Sequence, residues 1–159
     1  MKIQLVFCTF VAENYTMGRI LAIDYGQKRV GLAVTDPLQI TANGLDTVLP
    51  QELFNYLRAY VQKEKVEKFV VGLPKQLNGE DSDSMKLIRP FVIGLQRAFP
   101  DIPVVMFDER FTSSLAHHTL LTSGAKKKDR QDKTLVDKIA ATILLQSYLA
   151  STKNSPLNK

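Results

Sequence analysis

The chain has 159 residues, 45% of them hydrophobic and 23% charged, with a formal net charge of +5. That is enough apolar material for one domain with a real core. The single cysteine, Cys8, excludes an internal disulfide and a cysteine-based zinc cluster, and no apolar run approaches the length of a membrane span.

The positive balance makes an anionic partner plausible, chiefly because the basic residues concentrate at 126–130, in the run AKKKDRQDK. The one cysteine fits a reducing compartment. The first residues, MKIQLVFCTFVA, pair a lysine with a short apolar stretch but lack the strongly basic start and small-residue cleavage site of a signal peptide. Met17 offers an alternative start, which would make residues 1–16 an extension and 17–150 the domain.

From there the pattern turns regular. In residues 20–36, ILAIDYGQKRVGLAVTD, two apolar runs flank a polar turn, as in the paired strands of a hairpin. Asp24 ends the first run and Gly26 follows two residues later; on their own they could simply form the turn. Residues 45–49 supply a third strand, closing a meander. Pro50 introduces residues 51–65, where Leu53, Tyr56, Leu57, Tyr60 and Val61 recur at helical spacing and the aromatic stripe reads as core packing.

Residues 69–73 predict a strand ending in Gly72-Leu73-Pro74, and the Asn-, Asp- and Ser-rich segment after it an exposed loop. A helix follows over 83–99, with Asp83 or Ser84 as its cap and Pro90 set to kink it or delay its start. The strand 103–107 ends in Asp108-Glu109-Arg110. Thr112 or Ser113 can cap a helix to about residue 123, stopped by Gly124. The last helix spans about 133–150, followed by a polar tail, 151–159, expected to be disordered. The order βββαβαβαα implies an α/β fold: a mixed central sheet, a three-strand meander then parallel strands, flanked by helices.

Functional groups in open α/β sheets collect at the carboxyl ends of strands. Asp24, Asp108 and Glu109 stand at such ends. Asp137 shares a helix face with Ala140, Ala141 and Leu144, a small apolar stripe suited to packing on the sheet. A carboxylate there is costly unless a cation or several donors compensate it, although a place in the helix's first turn would also favour it. Carboxylates converging from different elements would bind Mg²⁺ or Mn²⁺, and a pair of such ions suits phosphodiester cleavage. His117 and His118 have no partner at ligand spacing, and there is no Walker A or GxGxxG motif. Lys126, Lys127, Lys128 and Arg130 form either a solvated loop or, beside a metal cluster, a phosphate-binding one.

Four pieces together resemble the YqgF (RuvX) family, described as Holliday-junction resolvases, with a ribonuclease H-like fold. They are DYGQKRVGLAV, with Asp24, Tyr25, Gly26, Arg29 and Gly31; the GLP of residues 72–74 with Gly79 after it; DERFTS from Asp108; and DKIAATILLQSYL from Asp137. The resemblance spans about residues 17–149. It implies a metal-dependent nuclease acting on structured nucleic acid, in a bacterial cytoplasmic protein linked to maturation of the 5′ end of 16S ribosomal RNA. Asp24, Glu109 and Asp137 are the implied ligands of one or two Mg²⁺ or Mn²⁺ ions, with Asp108 as the substitute for Glu109. Arg29 and Arg110, with the basic loop, are implied to bind substrate phosphates. Precursor ribosomal RNA and branched DNA both remain open as substrate, as does a non-catalytic RNA-binding role in ribosome assembly. Family members usually begin near the equivalent of Met17. Nothing in the helices separates an oligomer interface from a core stripe.

Overall fold

The computed structural model describes residues 17–73, 83–108 and 133–153. The chain runs β1 (Arg19–Tyr25), β2 (Val30–Thr35), β3 (Ala42–Val48), α1 (Leu53–Lys63), β4 (Val66–Leu73), α2 (Asp83–Ala98), β5 (Val104–Asp108) and α3 (Lys133–Lys153). The expected helix near 112–123, the basic loop and the ends at 1–16 and 154–159 lie outside the described residues. So do the side chains of Asp83 and Ser84.

Among the described residues the strands form one sheet in the order β3-β2-β1-β4-β5. β1 to β3 are an antiparallel meander; β4 and β5 join β1 in parallel. A short turn suffices for the first connection, whereas parallel neighbours need a crossover, which α1 and α2 supply. The mixed sheet with helices on its faces is therefore the expected one.

Both faces of the central strands are covered, so β1 and β2 read as continuous apolar runs rather than alternating ones. On one face Leu21, Ile23, Val30, Leu32, Phe69 and Val71 pack with Leu53 and Leu57 of α1 and Ile88, Phe91 and Leu95 of α2. On the other, Ile20, Ala22, Ala33 and Val70 meet Ala141, Leu144, Leu145 and Tyr148 of α3. The aromatic residues of α1 do pack against the core, as their spacing predicts.

β3, β4 and the last helix differ from the sequence expectation by three residues at one end, β4 starting at Val66, whereas α2 starts where expected. β3 begins at Ala42, three residues early, because its pairing with β2 extends to Ala42 opposite Thr35 through residues with little strand preference of their own. Pro90 lies inside α2, which starts at Asp83 regardless. The burial of Ile88, Phe91, Val92 and Leu95 around it offsets the hydrogen bond that proline removes. α3 runs to Lys153, three residues into the expected tail, with Leu149 still buried near its end.

The contact that sets the height of α3 on the sheet is at Gly31. A Cβ at this position would overlap the main-chain carbonyl oxygen of Asp137 and stand 3.3 Å from its Cβ. Glycine inside a strand commonly marks such a close backbone approach. Nearby, Thr47 donates its hydroxyl to the Thr134 carbonyl at 2.7 Å, tying β3 to the start of α3. Gly31→Ala should force α3 off the sheet and cost about 1–3 kcal/mol in urea unfolding. Gly44→Ala, whose added Cβ would find Thr142 Oγ1 at 3.4 Å and Lys138 Cβ at 3.5 Å, should cost clearly less.

Candidate active site

Asp24 and Gly31 are directly opposed in the β1–β2 ladder. Opposed residues carry their side chains to the same face about 4.5–5.5 Å apart. For this pair the face is that of α3, because Ala22 and Ala33, two residues away on each strand, pack in its cluster. Gly31 leaves no side chain there, and the space is filled by the backbone of Asp137. The missing side chain thus sets a strand-end carboxylate next to a helix carboxylate.

Asp137 is the fifth residue of α3, and the first turn of that helix contains no acidic residue. A first-turn preference for negative charge therefore does not account for it. Its compensation comes from Arg29, whose Nε donates to Asp137 Oδ2 at 2.6 Å. Both side chains are partly buried, 32% and 25% exposed, so water screens the pair incompletely.

Arg29 is aimed by the turn that follows Tyr25, the last residue of β1. The Gly26 amide donates to the Arg29 carbonyl at 3.1 Å, closing the hairpin. A Cβ on Gly26 would stand 2.6 Å from that same carbonyl oxygen, so the turn needs glycine. On the far side of the sheet the Tyr25 ring stacks on Phe91 of α2 at 4.3 Å between centroids. The strand end is thus held from below while Asp24 faces α3.

Asp24 itself is half-buried. Burial, and then the negative charge of Asp137, push its carboxyl up from 3.8 to about 6. Two carboxylates held together in a partly dry place share the single positive charge of Arg29. Oxygen donors of this kind, supplied by separate elements, fit a hard divalent cation. Among the described residues no group of three or more His, Cys, Asp or Glu is placed to hold a metal ion; Asp24 and Asp137 are two carboxylates that lie together.

Asp108 closes β5, opposite Leu73 of β4, and so lies at the same carboxyl edge as Asp24, with β4 between their strands. Val105 and Phe107 pack with the α3 cluster and Val104 with the opposite one. Strand alternation therefore turns Asp108 away from α3. Glu109, Arg110, Lys126, Lys127, Lys128 and Arg130 lie outside the described residues.

The sequence reading missed two things. Arg29 was expected at substrate phosphates, and its bond to Asp137 spans 108 positions, which no local pattern reveals. Gly31 entered only as part of a motif. The signal that could have found it is a glycine between Val30 and Leu32 in an otherwise packed strand.

The raised Asp24 fixes the sign of a pH effect in metal-free protein. The unfolded carboxyl ionises near 3.8 and the folded one near 6, so folding favours the protonated form. The stability from that preference is complete below 3.8 and lost as pH rises through about 6. With EDTA present, Asp24→Asn should be more stable than the parent at pH 7.5, by on the order of 2–3 kcal/mol, and close to it at pH 4. Thermal melts at the two pH values check this.

With the geometry in place, the comparisons with known proteins agree on a family. The RuvX family, described as "Holliday junction resolvase", matches residues 18–151. A protein of Bacteroides thetaiotaomicron is 59% identical over 137 residues, covering 86% of this chain and 99% of that protein; it carries the name "Putative pre-16S rRNA nuclease". A Phocaeicola vulgatus protein of the same name is 60% identical over the same shares. Among solved structures, Thermus thermophilus RuvC in complex with Holliday junction substrate aligns with a TM-score of 0.52 at 17% identity, covering 84% of this chain and 96% of that one. The fowlpox virus resolvase in complex with Holliday junction DNA aligns with a TM-score of 0.52 at 16% identity, covering 84% and 98%. At such identities the likeness is one of fold, the ribonuclease H-like fold that the motifs imply. By sequence over most of its length, the chain belongs to the RuvX family.

Proposed function

We propose that this chain is a metal-dependent nuclease that hydrolyses phosphodiester bonds in structured nucleic acid, with the 5′ end of precursor 16S ribosomal RNA as its substrate. The observation that carries the reading is the pairing of Asp24 with Asp137 across Gly31 at the carboxyl edge of the sheet. The names of relatives up to 60% identical support the ribosomal RNA substrate. The family's own description supports branched DNA as the alternative.

Asp24 and Asp137 would hold Mg²⁺ or Mn²⁺, as one ion or two. Such an ion supplies Lewis acidity, polarising the phosphate and lowering the pKa of bound water. Everything else falls to the chain's own residues. Asp24, facing α3 at the end of a buried strand, is held by its ladder with β2 and follows directly on Ile23, which pairs with Val71 of β4. Asp137 is held at fixed height by the helix that rests on Gly31. Glu109 serves as the third carboxylate, supported by the alternation that turns its neighbour Asp108 away from α3; Asp108 is the substitute. Arg110, Lys126, Lys127, Lys128 and Arg130 bind substrate phosphates, with Arg29 joining them, and so fix the register of the nucleic acid. Phosphate contacts alone do not distinguish RNA from DNA, which needs contacts to the 2′-hydroxyl. No helix of the described residues is long and apolar enough to cross a membrane, and a cytoplasmic setting fits the proposed substrate.

The test sets a precursor 16S RNA fragment beside a four-way DNA junction, each with Mn²⁺, Mg²⁺ or EDTA. Metal-dependent cutting of the RNA is expected, falling at least a hundredfold in Asp24→Asn and in Asp137→Asn while both variants stay folded. Junction cutting in its place would move the substrate to branched DNA. Salt-sensitive binding without metal-stimulated cutting would make the chain a non-catalytic assembly factor.

A further inference from the structure

The Arg29–Asp137 bond puts a permanent positive charge on a carboxylate proposed to hold a metal ion. Three features make it more than an incidental surface pair. It is short, at 2.6 Å, and partly buried on both sides. It is local to the other carboxylate, since Arg29 ends the turn that joins β1, the strand of Asp24, to β2, and that turn is closed by the Gly26–Arg29 bond. It also uses a side chain on a flexible stem, so the guanidinium can swing away while the backbone stays in place.

From these we infer that Arg29 is the site's internal counter-ion: it holds Asp137 beside Asp24 when no metal is bound, and gives Asp137 up when a divalent ion enters. The inference rests on Asp137 being a metal ligand and concerns what occupies that carboxylate beforehand. Without a cation, Asp24 and Asp137 repel each other across Gly31, where the helix backbone cannot retreat without losing its packing on the sheet. A guanidinium bonded to one of them offsets that repulsion and keeps the site assembled. A divalent ion that takes Asp137 offers the same carboxylate a stronger partner, and cation–cation repulsion then expels Arg29. Metal entry would thus release a guanidinium at the site's rim, where a substrate phosphate arrives. Arg29 acts through Asp137 and is a positioning residue in the metal-free state.

Arg29→Gln keeps a hydrogen-bond donor but removes the charge. Isothermal titration with Mn²⁺ alone should show the variant binding more tightly than the parent, by about tenfold, because the competing cation is gone. In EDTA the variant should melt at a lower temperature than the parent, and saturating Mn²⁺ should raise its melting temperature by more. A second readout needs no variant protein to be stable. The Arg29 Nε–H resonance in ¹⁵N-labelled parent protein should shift away from its carboxylate-bonded position as Mg²⁺ is added. Equal or weaker Mn²⁺ binding by Arg29→Gln, or an Nε–H resonance unmoved at saturating Mg²⁺, would overturn the exchange and make Arg29 a fixed support. Asp137→Asn separates the two levels of the argument. Parent protein that binds no Mn²⁺, or binds it as well after Asp137→Asn, overturns the metal site and the exchange together. Metal binding lost in Asp137→Asn but unimproved in Arg29→Gln overturns the exchange alone.

Discussion

The structure depends on how closely α3 approaches β2. A helix packed on a sheet normally keeps a layer of side chains between the two backbones. At Gly31 that layer is missing, and the carbonyl of Asp137 lies where a Cβ would be. The small residues Ala22, Ala33 and Ala141 continue the same close packing further along the helix, all fully buried. The helix can come this near only along a path lined with glycine and alanine, and on that path it brings a carboxylate down to the strand end. Packing and site geometry are one constraint here.

That constraint has an electrostatic consequence. Tight packing excludes water from around Asp24, and the same packing fixes a second negative charge beside it, so both causes of its raised pKa come from a single contact. A site built for stability alone would have placed a neutral or cationic residue at position 137. The fold instead carries the strain of two acids and offsets part of it with Arg29. Two acids held together in this way are what a hard cation relieves most, so the proposed metal binding and the cost to the metal-free protein would have the same origin.

How much of this could be read from the sequence depended on the range of each interaction. The hairpin of β1 and β2 was legible because its signals are local: two apolar runs around a turn containing Gly26. Asp137 was legible because a charged residue on a face of small apolar residues breaks the helical pattern. The start of β3 was not, since Ala42 to Gly44 have little strand preference and are recruited by the ladder with β2. The partner of Arg29 was not either. Its position in the turn is local, but its partner sits 108 residues away and is fixed only once α3 lies across the meander. Gly31 falls between the two: its presence in a strand was visible, and what approaches it was not.

The division of labour between the two faces of the sheet gives that site its rigidity. The face covered by α1 and α2 holds the larger side chains, with Phe69, Leu53, Leu57, Ile88 and Leu95 fully or almost fully buried, and Tyr25 clamped on Phe91 directly behind Asp24. That face carries most of the apolar burial and leaves the strand end little freedom. The α3 face is thinner near the site, built from alanine and glycine, and can tolerate a charged group because the opposite face does not depend on it. Substitutions at the acidic pair should therefore change charge and chemistry without dismantling the core. A protein with one evenly packed core could not separate the two so cleanly.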